Sequence, residues 1–146
     1  MAHDDAKAKD NVHIVLKDKD GNVKHDSCHN TFGTLGLAAM QDQLLASPSI
    51  TKPTHMAIGT GTATGTQLGT ETSRVALTSK TRSGTVVTMV ADWAAGVGTG
   101  AITEAGIFSQ SSGQDATHPE YAYANFGAIN KQAGDSLQIT WTITLS

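Results

Sequence analysis

Residues 136–146 read SLQITWTITLS, with Leu137, Ile139, Trp141, Ile143 and Leu145 alternating with Gln138, Thr140, Thr142 and Thr144. Successive side chains of an extended strand point to opposite faces, so this alternation puts one face in a core and the other outside. Shorter segments repeat the theme upstream. THMAIG (54–59), SRVALTSKT (73–81), GTVVTMVADW (84–93), GAITEAGIFSQ (100–110) and EYAYANFGAI (120–129) are strand-like, with turn signals at RSG and in the glycine-rich AAGVGTG before residue 101. Near the start, a strand at Val12–Lys17 is followed by DKDG and a return strand from Asn22, a hairpin pattern. The total is about seven to nine strands with turns roughly every 8–12 residues. That spacing predicts a mainly β fold, an antiparallel sandwich or jelly roll, over residues 12–146 as one domain. One short α-helix is expected at 34–46, where Leu37, Met40, Leu44 and Leu45 share a helical stripe and Pro48 and Pro53 follow. Residues 1–11 are polar and predict a flexible, solvated arm.

Composition narrows the function classes. Threonine, serine and glycine replace much of the usual charge: charged residues are 16% and the net charge is −3. A general nucleic-acid binder needs a basic face that this balance does not supply. The apolar runs are too short for a membrane span, and the N-terminus lacks the apolar core of a secretory signal. The single cysteine, Cys28, excludes an internal disulfide framework and suits assembly in a reducing cytoplasm.

The stretch AIGTGTATGTQLGTETSR (57–74) poses the sharpest question. Gly59, Gly61 and Gly65 approach the spacing of a phosphate cradle, in which glycines let backbone N–H groups reach an anion at a helix N-terminus. Here a β-like segment follows instead of that helix, and no Gly-Lys-Ser/Thr ending is present. The reading is a loop between strands whose glycines supply flexibility, with alanine at Gly61 or Gly65 expected to disturb assembly. GVGTG at 96–100 reads as a second turn. His25, Cys28 and His29, with His13 across the hairpin, hold too few soft ligands for zinc; Cys28 has the opposite strand parity to the two histidines. DKDGN (18–22) lacks the spacing and closing glutamate of a calcium loop. No serine sits in a nucleophile elbow. Glu104, between apolar neighbours, is expected to be partly buried and paired with Arg74 or Arg82. Trp93, Trp141, Tyr121, Tyr123, Phe108 and Phe126 fall in strand-like segments and are expected mostly in the core. No catalytic, cofactor-binding or metal residue is assigned, and no enzymatic activity is expected.

HMAIGTGTATGTQLGTETSRVALTS, GAITEAGIFSQSSG and AYANFGAINKQAGDSLQITWTITLS together resemble a family of small structural proteins of tailed-bacteriophage virions. With TFGTLGLAAMQDQLLAS, these segments span about three quarters of the chain. The resemblance implies a capsid decoration (cement) protein of jelly-roll type. Such a protein binds the outside of the head, clamps neighbouring major capsid subunits and forms a homo-oligomer, a dimer or a trimer. It is assembled in the host cytoplasm and resides on the virion. Similar sequences also occur in tail, baseplate and fibre-attachment regions. A sugar-binding or enzymatic sandwich is a third class, for which no aromatic platform is identifiable.

Overall fold

The computed structural model describes residues 8–29, 42–115 and 120–145. Among these residues nine antiparallel strands form two sheets. They are β1 (Ala8–Lys17), β2 (Val23–His29), β3 (His55–Gly59), β4 (Glu71–Ala76), β5 (Ser79–Ser83), β6 (Val86–Trp93), β7 (Gly100–Phe108), β8 (Glu120–Lys131) and β9 (Ser136–Leu145). One sheet has the order β2-β1-β9-β6-β5 and the other β4-β3-β7-β8. The chain is therefore a mainly β antiparallel sandwich. The alternation in residues 136–146 puts one face in a core, and the structure follows it as far as Trp141: β9 lies between β1 and β6 with Leu137, Ile139 and Trp141 buried, whereas Ile143 is half-buried and Leu145 is 42% exposed.

One core joins the sheets. From the five-stranded sheet come Val12, Ile14, Leu16, Met89, Ala91, Trp93 and Trp141; from the other, Met56, Ile58, Ile102, Ala105 and Ile107. Burial of these side chains, each contributing about 1.5–3 kcal/mol, is the main force holding the layers together. Trp141 keeps its polar edge satisfied inside that core, its Nε1 donating to Asp10 Oδ2 at 3.1 Å.

Two boundaries differ from expectation. Strand β1 starts at Ala8, so residues 8–11 are not part of a solvated arm; residues 1–7 lie outside the described residues. The reason is the ladder to β9, which runs from Ala8↔Leu145 to Lys17↔Ser136 and buries Asp10 against Trp141. The expected single strand at 73–81 is two strands in different sheets. Leu77 N bonds Thr54 O while Thr78 N bonds Val90 O, so these two residues pass the chain from one layer to the other.

The expected helix at 34–46 falls, up to residue 41, outside the described residues. Beyond it, Leu44 and Leu45 stand 86% and 61% exposed and are not on a buried stripe. The Asp42 carboxylate accepts from Ile50 N and Ser49 Oγ and closes residues 42–50 into a corner. The turn expected at 96–100 is present. Gly98 is left-handed (φ 66°), and a Cβ there would lie 2.8 Å from Ile58 Cδ1 and press on Ser73 and Trp93.

Candidate functional site: a glycine lobe closed on a buried carboxylate

The outer face of the four-stranded sheet carries the chemistry. Its position is set by a bulge in the β7–β8 pairing, where the register shifts between Ile102 and Glu104. There β7 advances two residues while β8 advances four, from Ile102↔Ile129 to Glu104↔Asn125; Ile102, Ala105 and Ile107 face the core, and Glu104, Gly106 and Phe108 face the lobe. On that outer face Ala57, Phe108, Ala63 and Leu68 form a second small core with Tyr123 against it. The lobe 59–70 roofs it, turning Ala63 and Leu68 inward and leaving Thr60, Thr62, Thr64 and Thr66 exposed.

Glu104 holds this lobe down. It is fully buried (0% exposed). Its Oε1 accepts from Gly61 N at 3.0 Å and Thr70 N at 2.8 Å, and its Oε2 accepts from Gly69 N at 2.7 Å. Thr103 Oγ1 donates to Gly61 O, and the Asn125 amide pairs with both the N–H and the carbonyl of Ala63. A buried carboxylate is costly unless its oxygens are satisfied, and hydrogen bonds to a charged acceptor are among the stronger ones. The expected partners, Arg74 and Arg82, are not the ones used. Arg74 forms a two-pronged pair with Glu71 (2.6 and 3.0 Å) and lies 3.8 Å over the Phe108 ring; Arg82 donates to Gly84 O. The loop's own N–H groups reach Glu104 first because β7 places it directly under them.

The glycine stretch thus cradles an anion after all, and the anion is the protein's own side chain. Its glycines serve close approach and not flexibility. None of Gly59, Gly61, Gly65 and Gly69 is in the left-handed region. A Cβ on Gly59 would meet Glu104 Oε1 and Thr70 O, one on Gly61 would lie 2.6 Å from Thr70 N, and one on Gly69 2.5 Å from Thr62 N. Gly65 is different: its nearest neighbour would be Tyr123 Cε1 at 3.8 Å, ordinary contact.

A second carboxylate shares the face in the opposite condition. Glu120, paired with Phe108 across the ladder, is 1% exposed, and among the described residues neither of its carboxylate oxygens has a hydrogen-bond partner. Burial, and then the nearby Glu104 charge, push its pKa up to about 8 from 4.5, against the pull of Arg74. Glu120 is therefore mostly a neutral acid at pH 7, while Arg74 stays committed to Glu71 and to the carbonyls of Gln110 and Gly113.

The remaining candidates are placed as follows. His25 and His29 are half-buried on one face of β2 and both contact Ser27 Oγ, at 2.8 and 3.0 Å. Burial, with the neighbouring His25, depresses the His29 pKa, and its ring stacks on Phe126. Cys28 is exposed on the other face opposite His13, whose ring bonds Asp26. Among the described residues, no three histidine, cysteine or acidic side chains are grouped to hold a metal. At 18–22 the Asp18 carboxylate accepts from Asp20 N and Asn22 N, a turn closed on itself. Sequence reasoning missed Lys131. It is buried and donates to the carbonyls of Ala94 and Asp135, while Asp135 accepts from Lys24 Nζ and Gln132 N. The KQAGD turn is thereby tied to two other segments; a lysine ending an apolar strand beside an Asp three to four residues on is its only sequence trace. No helix among the described residues is long and apolar enough to cross a membrane. No family model matches the chain, and neither a curated protein nor a solved structure matches it.

Two outcomes follow from this geometry. Gly61→Ala forces its methyl against Thr70 N and is expected to cost about 1–3 kcal/mol in urea unfolding, whereas Gly65→Ala is neutral or slightly stabilising. Equal effects of the two would refute the close-approach role. For Glu120, the unfolded chain ionises near 4.5 and the folded chain near 8, so the folded state holds the extra proton in between. Stability therefore falls as pH rises through that window and is level above it. Glu120→Gln is expected to match the parent near pH 4 and to exceed it at pH 9 by on the order of 2–4 kcal/mol, read as a higher melting temperature.

Proposed function

We propose that the protein is a structural component of a tailed-bacteriophage virion, a decoration protein that lies on the outer surface of the head and clamps neighbouring major capsid subunits. The observation that carries the proposal is the locked lobe at 59–70. Two of the segments that resemble phage structural proteins, the AIGTGT loop and the ITEAGIF strand, meet in it at Glu104. The lobe contains no charged residue and exposes Thr60, Thr62, Thr64 and Thr66 on a backbone fixed from beneath. Such a surface loses little conformational freedom when it meets a partner, which favours association.

The physics of a clamp fits a small domain of this kind. A protein that binds the finished lattice and not its precursor stabilises the lattice by mass action. A copy that bridges two subunits gains further, because its second contact is effectively intramolecular. The partner is the major capsid protein, and the protein's place is the capsid surface after assembly in the host cytoplasm. Placement in the tail, the baseplate or a fibre attachment is the competing reading.

Copy number on purified particles of the phage encoding this chain separates the two. Hundreds of copies, with DNA released at lower temperature from heads that lack the protein, is the expected result. A dozen copies or fewer, located at the tail, would move the protein to the competing site. Absence from the particle would overturn both.

A further inference from the structure

We propose that His25, Ser27 and His29 of β2 form a zinc(II) site, in which the ion is held by two imidazole Nε2 atoms, the serine hydroxyl between them and one water. In the β1–β2 pairing these residues stand opposite Leu16, Ile14 and Val12, so they share the inward face of the five-stranded sheet at its β2 edge. His25 and His29 are four residues apart, about 13 Å along an extended strand. Their rings nevertheless lean together. His25 Nε2 lies 2.8 Å from Ser27 Oγ, and His29 Nε2 lies 3.0 Å from the same oxygen. Asp26 and Cys28, at the alternate positions, belong to the opposite face with His13 and Val15.

The spacing suits zinc. Atoms bonded to one zinc ion at about 2.0–2.1 Å stand about 2.9–3.4 Å apart, for angles at the metal from about 90° to about 109°. The observed spacings of 2.8 and 3.0 Å lie within a few tenths of an ångström of that range. A serine hydroxyl has one proton, so it donates to one ring only, and the other ring must turn its own N–H toward the oxygen. An ion in the cluster draws instead on one lone pair from each of the three atoms. The sequence offers too few soft ligands for zinc when His25, Cys28 and His29 are counted together. The structure takes Cys28 to the other face and sets Ser27 between the two histidines.

The surroundings orient the ligands and leave them accessible. The His29 ring stacks on Phe126 of β8, with centroids 5.3 Å apart, which fixes its direction. Buried Val12, Ile14 and Leu16 supply an apolar wall on the β1 side, the kind of shell that limits competition from water. Lys24 is the nearest cation in sequence, and its charge is taken up by Asp135 at 2.7 Å. Half-buried at an edge strand, the three side chains can be reached from solvent. A bound ion stabilises the folded chain by mass action. The inference goes beyond the virion reading and holds whatever particle the protein serves, since all three residues lie on one strand.

Calorimetric titration of the full chain with zinc chloride near neutral pH tests it. One ion per chain is expected to bind with a Kd at or below about 100 μM. His25→Gln and His29→Gln are each expected to weaken binding at least about tenfold, because each removes a ligand. The double variant His13→Gln/Cys28→Ser alters only the opposite face and is expected to bind as the parent does. Cobalt(II) in place of zinc reads the ligands with no substitution at all: d–d bands without a thiolate charge-transfer band are expected. A parent that binds no zinc at that concentration overturns the inference. So does an affinity that survives both histidine substitutions or is lost with His13 and Cys28, and so does a thiolate band.

Discussion

The Glu104 carboxylate, dry and surrounded by backbone donors, is the constraint on which the outer half of the molecule depends. Removing a carboxylate from water is affordable only where its lone pairs are taken up, and here three loop N–H groups do so. The arrangement works in both directions. The lobe supplies the anion's solvation, and the anion supplies partners for amides that a glycine-rich loop would otherwise leave to water. Glycine is required because any Cβ at Gly59, Gly61 or Gly69 would stand where a donor, a carbonyl or the carboxylate now sits.

Much of the remaining face is organised by that lock. Ala63 and Leu68 reach Phe108 only because the lobe is folded down, and Arg74, stacked on the same ring, carries Glu71 and the loop at Gln110–Gly113. Glu120 lies within this assembly without a donor among the described residues. Two acids on one sheet face thus differ entirely in consequence. One is satisfied by the backbone and anchors a lobe; the other is buried without partners and links the fold to pH.

The layer architecture was legible because burial writes itself as alternation. Residues 137–141 show it plainly, and their strand lies in the middle of its sheet; the strand at 12–17 was marked instead by the turn chemistry that follows it. What could not be read was anything decided by contact between distant segments. The 73–81 run looks like one strand because nothing local marks Leu77 and Thr78 as a crossing; their partners, Thr54 and Val90, are supplied by the fold. The same holds at the site. Glu104 is conspicuous as an acid among apolar residues, so its burial could be anticipated. Its partners could not, since a side-chain cation is easy to propose from sequence and a set of backbone N–H groups 34 to 43 residues away is not. The phosphate-cradle spelling had a physical basis, in that close backbone approach to an anion needs glycine wherever the anion comes from.

A rigid, uncharged, threonine-faced lobe is a surface suited to lasting contact, and its rigidity is the central claim. Amide hydrogen exchange at Gly61, Gly69 and Thr70, compared between the parent protein and Glu104→Gln, tests that claim most directly. Slow exchange in the parent, accelerated on the order of a hundredfold in the variant while Ile14 and Ile139 stay protected, is the predicted result, equivalent to losing about 3 kcal/mol of hydrogen bonding to a charged group. Equal exchange at these three amides in the two proteins would contradict it.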